Sequence, residues 1–193
     1  MIPAAIVGAR AYYVIFSWSD YAGDWKKILD IRSGGLAIHG GLILCFLVGY
    51  FVCKHYKQGF VRTADLVAVS IPLAQAIGRW GNEEAHGMQT DLPWAQIIDG
   101  IGYHPTFLYE SIWCFCLFWF LLWFDDHKRS FDGQMISLYM MLYSVERFFV
   151  EGLRTDSLMV GPFRQAQLLS LGLIAAGIAL CVFFKKRTGR YLP

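Results

Sequence analysis

The chain has 193 residues, 56% of them hydrophobic and only 17% charged, where soluble domains carry about 25% charged residues. With a mean hydropathy of +0.41, that composition argues against a soluble domain and for an integral membrane protein. A net charge of +2 excludes the basic footprint of a nucleic-acid binder.

Six apolar stretches follow in chain order, over residues 1–19, 35–53, 63–80, 104–124, 134–153 and 166–184. Each is close to the ~20 residues that cross a ~30 Å hydrocarbon layer as a helix. A spanning segment must satisfy its own backbone, so helix is the expected form. The prediction is an all-α, polytopic membrane helix bundle with six spanning helices. No internal repeat appears and the connecting segments are short, so one domain over residues 1–193 is expected. The opening "MIPAAIVGAR" has no basic leader and no clear cleavage site, so a removed signal peptide is not expected. Cys45, Cys53, Cys114, Cys116 and Cys181 lie in apolar runs or at their ends, odd in number and without zinc-like spacing. They read as small hydrophobes.

Loop charge sets an orientation. With the N-terminus cytoplasmic, Lys54, Lys57, Arg62, Lys128, Arg129, Lys185, Lys186, Arg187 and Arg190 fall inside. Lys26, Lys27, Arg32, Arg154 and Arg164 fall outside. Nine cations against five obey the positive-inside rule. The C-terminus is then cytoplasmic. Trp18, Trp80, Trp94, Tyr103 and Trp123 stand near helix ends as interfacial anchors do. This orientation sends four unusual segments to the outer ends of helices: "RSGGLAIHGG" (32–41), "GRWGNEEAHG" (78–87), "GYHPTFLYE" (102–110) and "RFFVEGLRTD" (147–156).

In the first, His39 is bracketed by Gly34, Gly35, Gly40 and Gly41. The glycines let the helix start close to a neighbour or leave room for a ligand. The histidine reads either as a structural hydrogen-bonder or as a general base near neutral pH. In the second, Arg79 and Asn82 are one turn apart, among Gly78, Gly81 and Gly87. In the third, His104 before Pro105 marks a helix entry with the proline in the first turn. Tyr109 and Glu110 follow, and a carboxylate in that context needs a cation on a neighbouring helix. In the fourth, Tyr143, Arg147, Glu151 and Arg154 recur at i, i+4, i+8 and i+11, which is one helical face. Glu146 lies off that stripe and reads as paired with a neighbour.

Charge inside a membrane helix is expensive and faces a bundle interior or a wet cavity. Arg147 and Glu151 read either as a pair that locks helices or as part of a site; Arg79 reads either as an interfacial anchor or as a ligand. Guanidiniums offer a planar fork of donors suited to phosphate. Arg79 and Arg147 facing one outer-leaflet cavity would clamp a lipid phosphate. His39, Glu83, Glu84, His86 and His104 have no HExxH-like spacing, so no metal site is expected, and no GxSxG elbow marks a serine hydrolase.

Taken together, "GGLAIHGG", "GRWGN…EAHG", "HPTFLYE" and "RFFVEGLRTDSL", with "GARAYYVIF" (8–16) before them, resemble the signature segments of the prolipoprotein diacylglyceryl transferases. The resemblance runs in order from about residue 2 to about residue 184. It implies an enzyme of the bacterial inner membrane, without cofactor or metal. Such an enzyme moves a diacylglyceryl group from phosphatidylglycerol to the lipobox cysteine thiol of a prolipoprotein signal peptide. A thioether forms and glycerol phosphate leaves, as the first step of lipoprotein maturation. Both substrates lie in the bilayer, so the site is expected at the outer leaflet. The family's essential arginines match Arg79 and Arg147, and its histidine matches His39, the candidate base. Asn82, Glu84 and Gly87 match its glycine-rich signature; Tyr143, Glu151 and Arg154 match polar positions of the penultimate helix. Gly40, Gly41, His104, Tyr109 and Glu110 have supporting places.

Two departures stand against the family pattern. Its members carry a further N-terminal helix with an important tyrosine, so this chain reads as N-terminally truncated, with six spans for seven. They also have about three more residues after the asparagine matched by Asn82, so Glu84 is expected to be rotated and drawn toward Arg79. An inactive lipid- or signal-peptide-binding protein of the same fold is the competing reading. A transporter stands further off, since no repeat is present and the charges gather at one face.

Overall fold

The computed structural model describes residues 2–32, 34–81, 87–155 and 157–188. Helices occupy all six predicted stretches: α1 Ile2–Phe16, α4 Ile38–His55, α5 Phe60–Gly78, α6 Thr106–His127, α7 Gln134–Gly152 and α8 Gln165–Thr188. Short helices α2 Trp18–Tyr21 and α3 Trp25–Leu29 follow α1. Four of the six segments are long and apolar enough to cross a membrane: Ile38–His55, Phe60–Gly81, Thr106–His127 and Gln165–Arg187. The other two differ for separate reasons. Helix α1 has 15 residues and breaks at Ser17, whereas α7 is long enough but carries Glu146, Arg147 and Glu151. The burial pattern is that of a membrane bundle. Arg10, Asp65, Glu110, Glu146 and Glu151 are buried, while Phe46, Phe51, Trp119 and Phe183 face outward. Polar groups turn inward because lipid offers them no partner.

The chain divides into two compact units, residues 1–60 and 61–193. In the first, α1 packs on α4 through small residues. A Cβ on Gly40 would land on the Gly8 carbonyl and on Tyr12 Cβ. One on Gly41 would come within 3.0 Å of the Ala5 carbonyl oxygen. The crossing is therefore a small-residue contact of the membrane kind, and Gly40 and Gly41 serve close helix approach. Arg10 is 5% exposed and ties down the segment between α2 and α4. It donates to the carbonyls of Lys27 (2.5 Å), Ile28 (3.0 Å), Gly34 (2.7 Å) and Gly35 (2.9 Å). Helix α4 ends in a Schellman arrangement. Gln58 N–H donates to Cys53 O at 2.8 Å, and Lys57 takes the left-handed position at φ 54°.

In the second unit, Val69, Leu117, Leu121 and Met135 form the core of α5, α6 and α7. Helix α8 lies along α7 at Gly177, where a Cβ would stand 2.7 Å from Met141 Cγ. The segment before α6 is more structured than its length in sequence implies. Strands β1 Gln96–Ile98 and β2 Ile101–Tyr103 pair antiparallel, Ile98 opposite Ile101. The two-residue loop is Asp99-Gly100, both at positive φ (51° and 81°), which is the combination a type I′ turn needs. A second, minimal pair joins β3 Met159–Val160 to β4 Phe163–Arg164.

Candidate active site

At the end of α5 the helix tightens into a 3₁₀ turn, Arg79–Gly81. This turn delivers Arg79 toward α6 and α7. Trp80 fixes the turn: its indole N–H donates to Ser111 Oγ at 3.0 Å, and Ser111 in turn donates to Ala76 O at 2.8 Å. Helix α6 starts at Thr106 with Pro105 as its cap residue, one position later than expected, and places Glu110 one turn in.

Glu110 is 1% exposed and joins three helical elements. Arg79 Nε lies 2.9 Å from its Oε2, and Arg147 Nη1 donates to its Oε1 at 2.5 Å. Arg147 reaches one turn along its own helix as well, with Nη2 3.1 Å from Glu151 Oε2. Arg79 Nη2 donates to the Tyr143 hydroxyl at 3.3 Å, and Tyr143 stacks on Tyr139 with ring centroids 5.7 Å apart. The predicted stripe Tyr143–Arg147–Glu151 therefore faces Arg79 and Glu110. Two guanidiniums converging on one buried carboxylate form an anion-binding arrangement, because each has five N–H donors, more than its contacts among the described residues use.

Above this cluster the backbone itself is pinned. Gly87 and Arg154 form an antiparallel bridge, Met88 N–H donates to Leu153 O at 2.8 Å, and His104 N–H donates to Met88 O at 3.0 Å. A Cβ on Gly87 would collide with the His104 carbonyl, so only glycine fits where these three segments meet. His104 Nδ1 lies 3.2 Å from the Tyr109 hydroxyl, which also accepts from Trp94 Nε1 at 3.0 Å. His104 and Tyr109 thus hold the hairpin segment to α6. Arg164, read earlier only as a loop cation, donates from Nη1 to the carbonyls of Glu151 and of Arg154, the latter at 3.0 Å, and so caps α7.

Of the residues singled out in the sequence, Arg79, Glu110, Tyr143, Arg147 and Glu151 form one cluster. Gly87, His104, Tyr109 and the backbone of Arg154 lie in the segments just described. Asn82, Glu83, Glu84 and His86 lie outside the described residues. His39, Gly40 and Gly41 belong to the first unit, where His39 is exposed in the first turn of α4 with its ring 6.2 Å from that of Tyr12. Glu146 departs from expectation. It is buried, and neither carboxylate oxygen has a hydrogen-bond partner among the described residues. Among the described residues no group of three or more His, Cys, Asp or Glu is placed to hold a metal ion.

A second charged cluster sits at the opposite end of α7. Asp65 accepts from Gly133 N–H (2.6 Å), Ile136 N–H (3.0 Å) and Arg129 Nη2 (3.0 Å). Arg129 also donates to Asp125 and Asp132, at 3.0 and 2.8 Å. Burial works against the Arg129 charge, but the carboxylates of Asp65 and Asp125 hold its pKa above the ordinary guanidinium value. Neither residue stood out in the sequence; Arg129 was counted only as a loop cation.

Comparison with known proteins agrees with the motifs. The family model described as prolipoprotein diacylglyceryl transferase matches residues 1–183. A phosphatidylglycerol--prolipoprotein diacylglyceryl transferase of Clostridioides difficile (strain 630) is 52% identical over 189 residues, covering 96% of this chain and 76% of the relative. The protein of that name from Finegoldia magna is 50% identical over the same shares. That from Bacillus cereus (strain Q1) is 46% identical over 200 residues, 96% of this chain and 74% of the relative. With the signature segments in order, three of them joined in one unit, and a match over nearly its whole length, the chain belongs to the prolipoprotein diacylglyceryl transferase family.

Proposed function

We propose that this chain transfers a diacylglyceryl group from phosphatidylglycerol to the lipobox cysteine of a prolipoprotein signal peptide. The observation that carries the reading is the convergence of Arg79 and Arg147 on Glu110. Two forks of donors face one point, in a setting where the anion at hand is a lipid phosphate. The thiolate of the peptide attacks the glyceryl carbon that bears the phosphate ester. The C–S bond forms, the C–O bond breaks, and glycerol phosphate leaves with charge that the two guanidiniums stabilise. Glu110 holds both arginines at one separation before the lipid arrives. Tyr143, Glu151 and Arg154 complete the headgroup site, together with Asn82, Glu84 and Gly87, whose roles rest on the motif they share.

The thiol proton needs an acceptor. His39 has that role in this reading, on the strength of its motif. The site faces the outer leaflet of a bacterial inner membrane, with the C-terminus in the cytoplasm. The cation count of the loops supports that orientation.

The test uses the purified chain in detergent with phosphatidylglycerol and a peptide carrying a lipobox cysteine. Mass spectrometry reads the mass of a diacylglyceryl group on that cysteine. Addition by the native chain and none by Arg147→Ala supports the transferase. No addition by a folded native chain leaves an inactive lipid-binding relative. His39→Gln is expected to lower turnover more than lipid binding, and unchanged turnover removes it as the base.

A further inference from the structure

Glu146, beside that cluster, has no hydrogen-bond donor to either carboxylate oxygen among the described residues. It is 4% exposed, stands next to Arg147 in α7, and feels the charges of Glu110, Arg147 and Arg79. Among the described residues, the contacts those arginines make are with other groups, namely Glu110, Glu151 and the Tyr143 hydroxyl. Both Glu146 oxygens are thus buried acceptors with nothing to accept among the described residues. Such an atom is costly to leave unpaired, more so when charged, and a membrane interior supplies no water to relieve it. A carboxylate buried near enough to feel both arginines, and bonded to neither among the described residues, is placed to receive donors from whatever the arginines bind.

The chemistry of those donors follows from number and place. Two acceptor oxygens on one planar group match two hydroxyls on adjacent carbons. A thiol brings one weak donor and would leave an oxygen unpaired. On the proposed reading, which this inference deepens, the phosphate at Arg79 and Arg147 is esterified on its far side to a glycerol. That glycerol carries a vicinal diol within a few bonds of the phosphorus. We propose that Glu146 accepts both hydroxyls of the glycerol headgroup and selects for lipids that carry them.

Native mass spectrometry of the full chain in detergent tests this. It compares the affinity for phosphatidylglycerol with that for phosphatidylpropanol of the same acyl chains, which keeps the phosphate and lacks both hydroxyls. The native chain is expected to prefer phosphatidylglycerol by about 10- to 100-fold, as two hydrogen bonds of ordinary net strength require. In Glu146→Leu the preference falls to within about twofold, and in the isosteric Glu146→Gln it is intermediate. Because the readout is a ratio within one variant, a general loss of packing does not imitate it. Equal weakening toward both lipids, a preference that survives Glu146→Leu, or no preference in the native chain overturns the assignment. The peptide assay separates this from the reading above. Selective binding without transfer would sink the transferase and leave Glu146 standing. Transfer that ignores the headgroup hydroxyls would do the reverse.

Discussion

The two ends of α7 carry the same kinds of groups arranged to opposite effect. At its start, Asp65 receives two backbone N–H groups and a guanidinium, and Arg129 is matched by three carboxylates. That end is closed. Its hydrogen bonds cap the helix from another segment and fix where α7 begins. At its far end, Arg79 and Arg147 share Glu110 while Glu146 accepts from no described residue. Among the described residues, that end keeps capacity for a further partner. Buried charge alone therefore does not mark a functional site. What marks it is charge whose hydrogen-bonding capacity the fold leaves over.

The largest effect is expected from Asp65→Ala. It strips Arg129 of a buried partner and leaves two α7 amides without an acceptor, which should cost about 3–5 kcal/mol of stability. Thermal unfolding in detergent measures it, and transfer assayed well below the new midpoint should stay within a few-fold of the native rate. A collapse of activity with stability intact would make Asp65 part of the site and erase the contrast. Next comes Arg147→Lys, which keeps the charge and loses the planar fork. Transfer should fall about 100-fold with the unfolding midpoint little moved.

The counterpart, Arg129→Lys, sharpens the comparison. It should cost about 1–2 kcal/mol of stability, since one ammonium cannot serve three carboxylates as a guanidinium does. Its transfer rate should be near native. Equal behaviour of the two lysine variants in both assays would mean that the ends of α7 do not differ in kind. The smallest effect is expected from Tyr143→Phe, which removes the acceptor of one 3.3 Å hydrogen bond from Arg79. A weakening of phosphatidylglycerol binding by about fivefold, or ~1 kcal/mol, is expected.

Much of this was legible in the chain. The six helices follow from runs of apolar residues, because a backbone in lipid has few other choices. The stripe Tyr143–Arg147–Glu151 follows from helical spacing, and family membership follows from motifs in order. The Asp99-Gly100 hairpin carries only a short-range turn signal between strands of three residues each, too short to show an alternating pattern. Arg10 and Asp65 stood out in no pattern. Their acceptors and donors lie 17 to 71 positions away, and no local spacing encodes that distance.

What the sequence determined by itself is which segments are helical, which kind of solvent they face, and that two arginines and several carboxylates must be buried with partners. Only the tertiary structure decided the pairing. Glu110 rather than Glu146 received both guanidiniums, and Asp65 rather than a residue of its own helix capped α7. Such choices depend on where α5, α6 and α7 set their side chains relative to one another. A buried charge is worth keeping or costly according to distances of a few ångströms across helices.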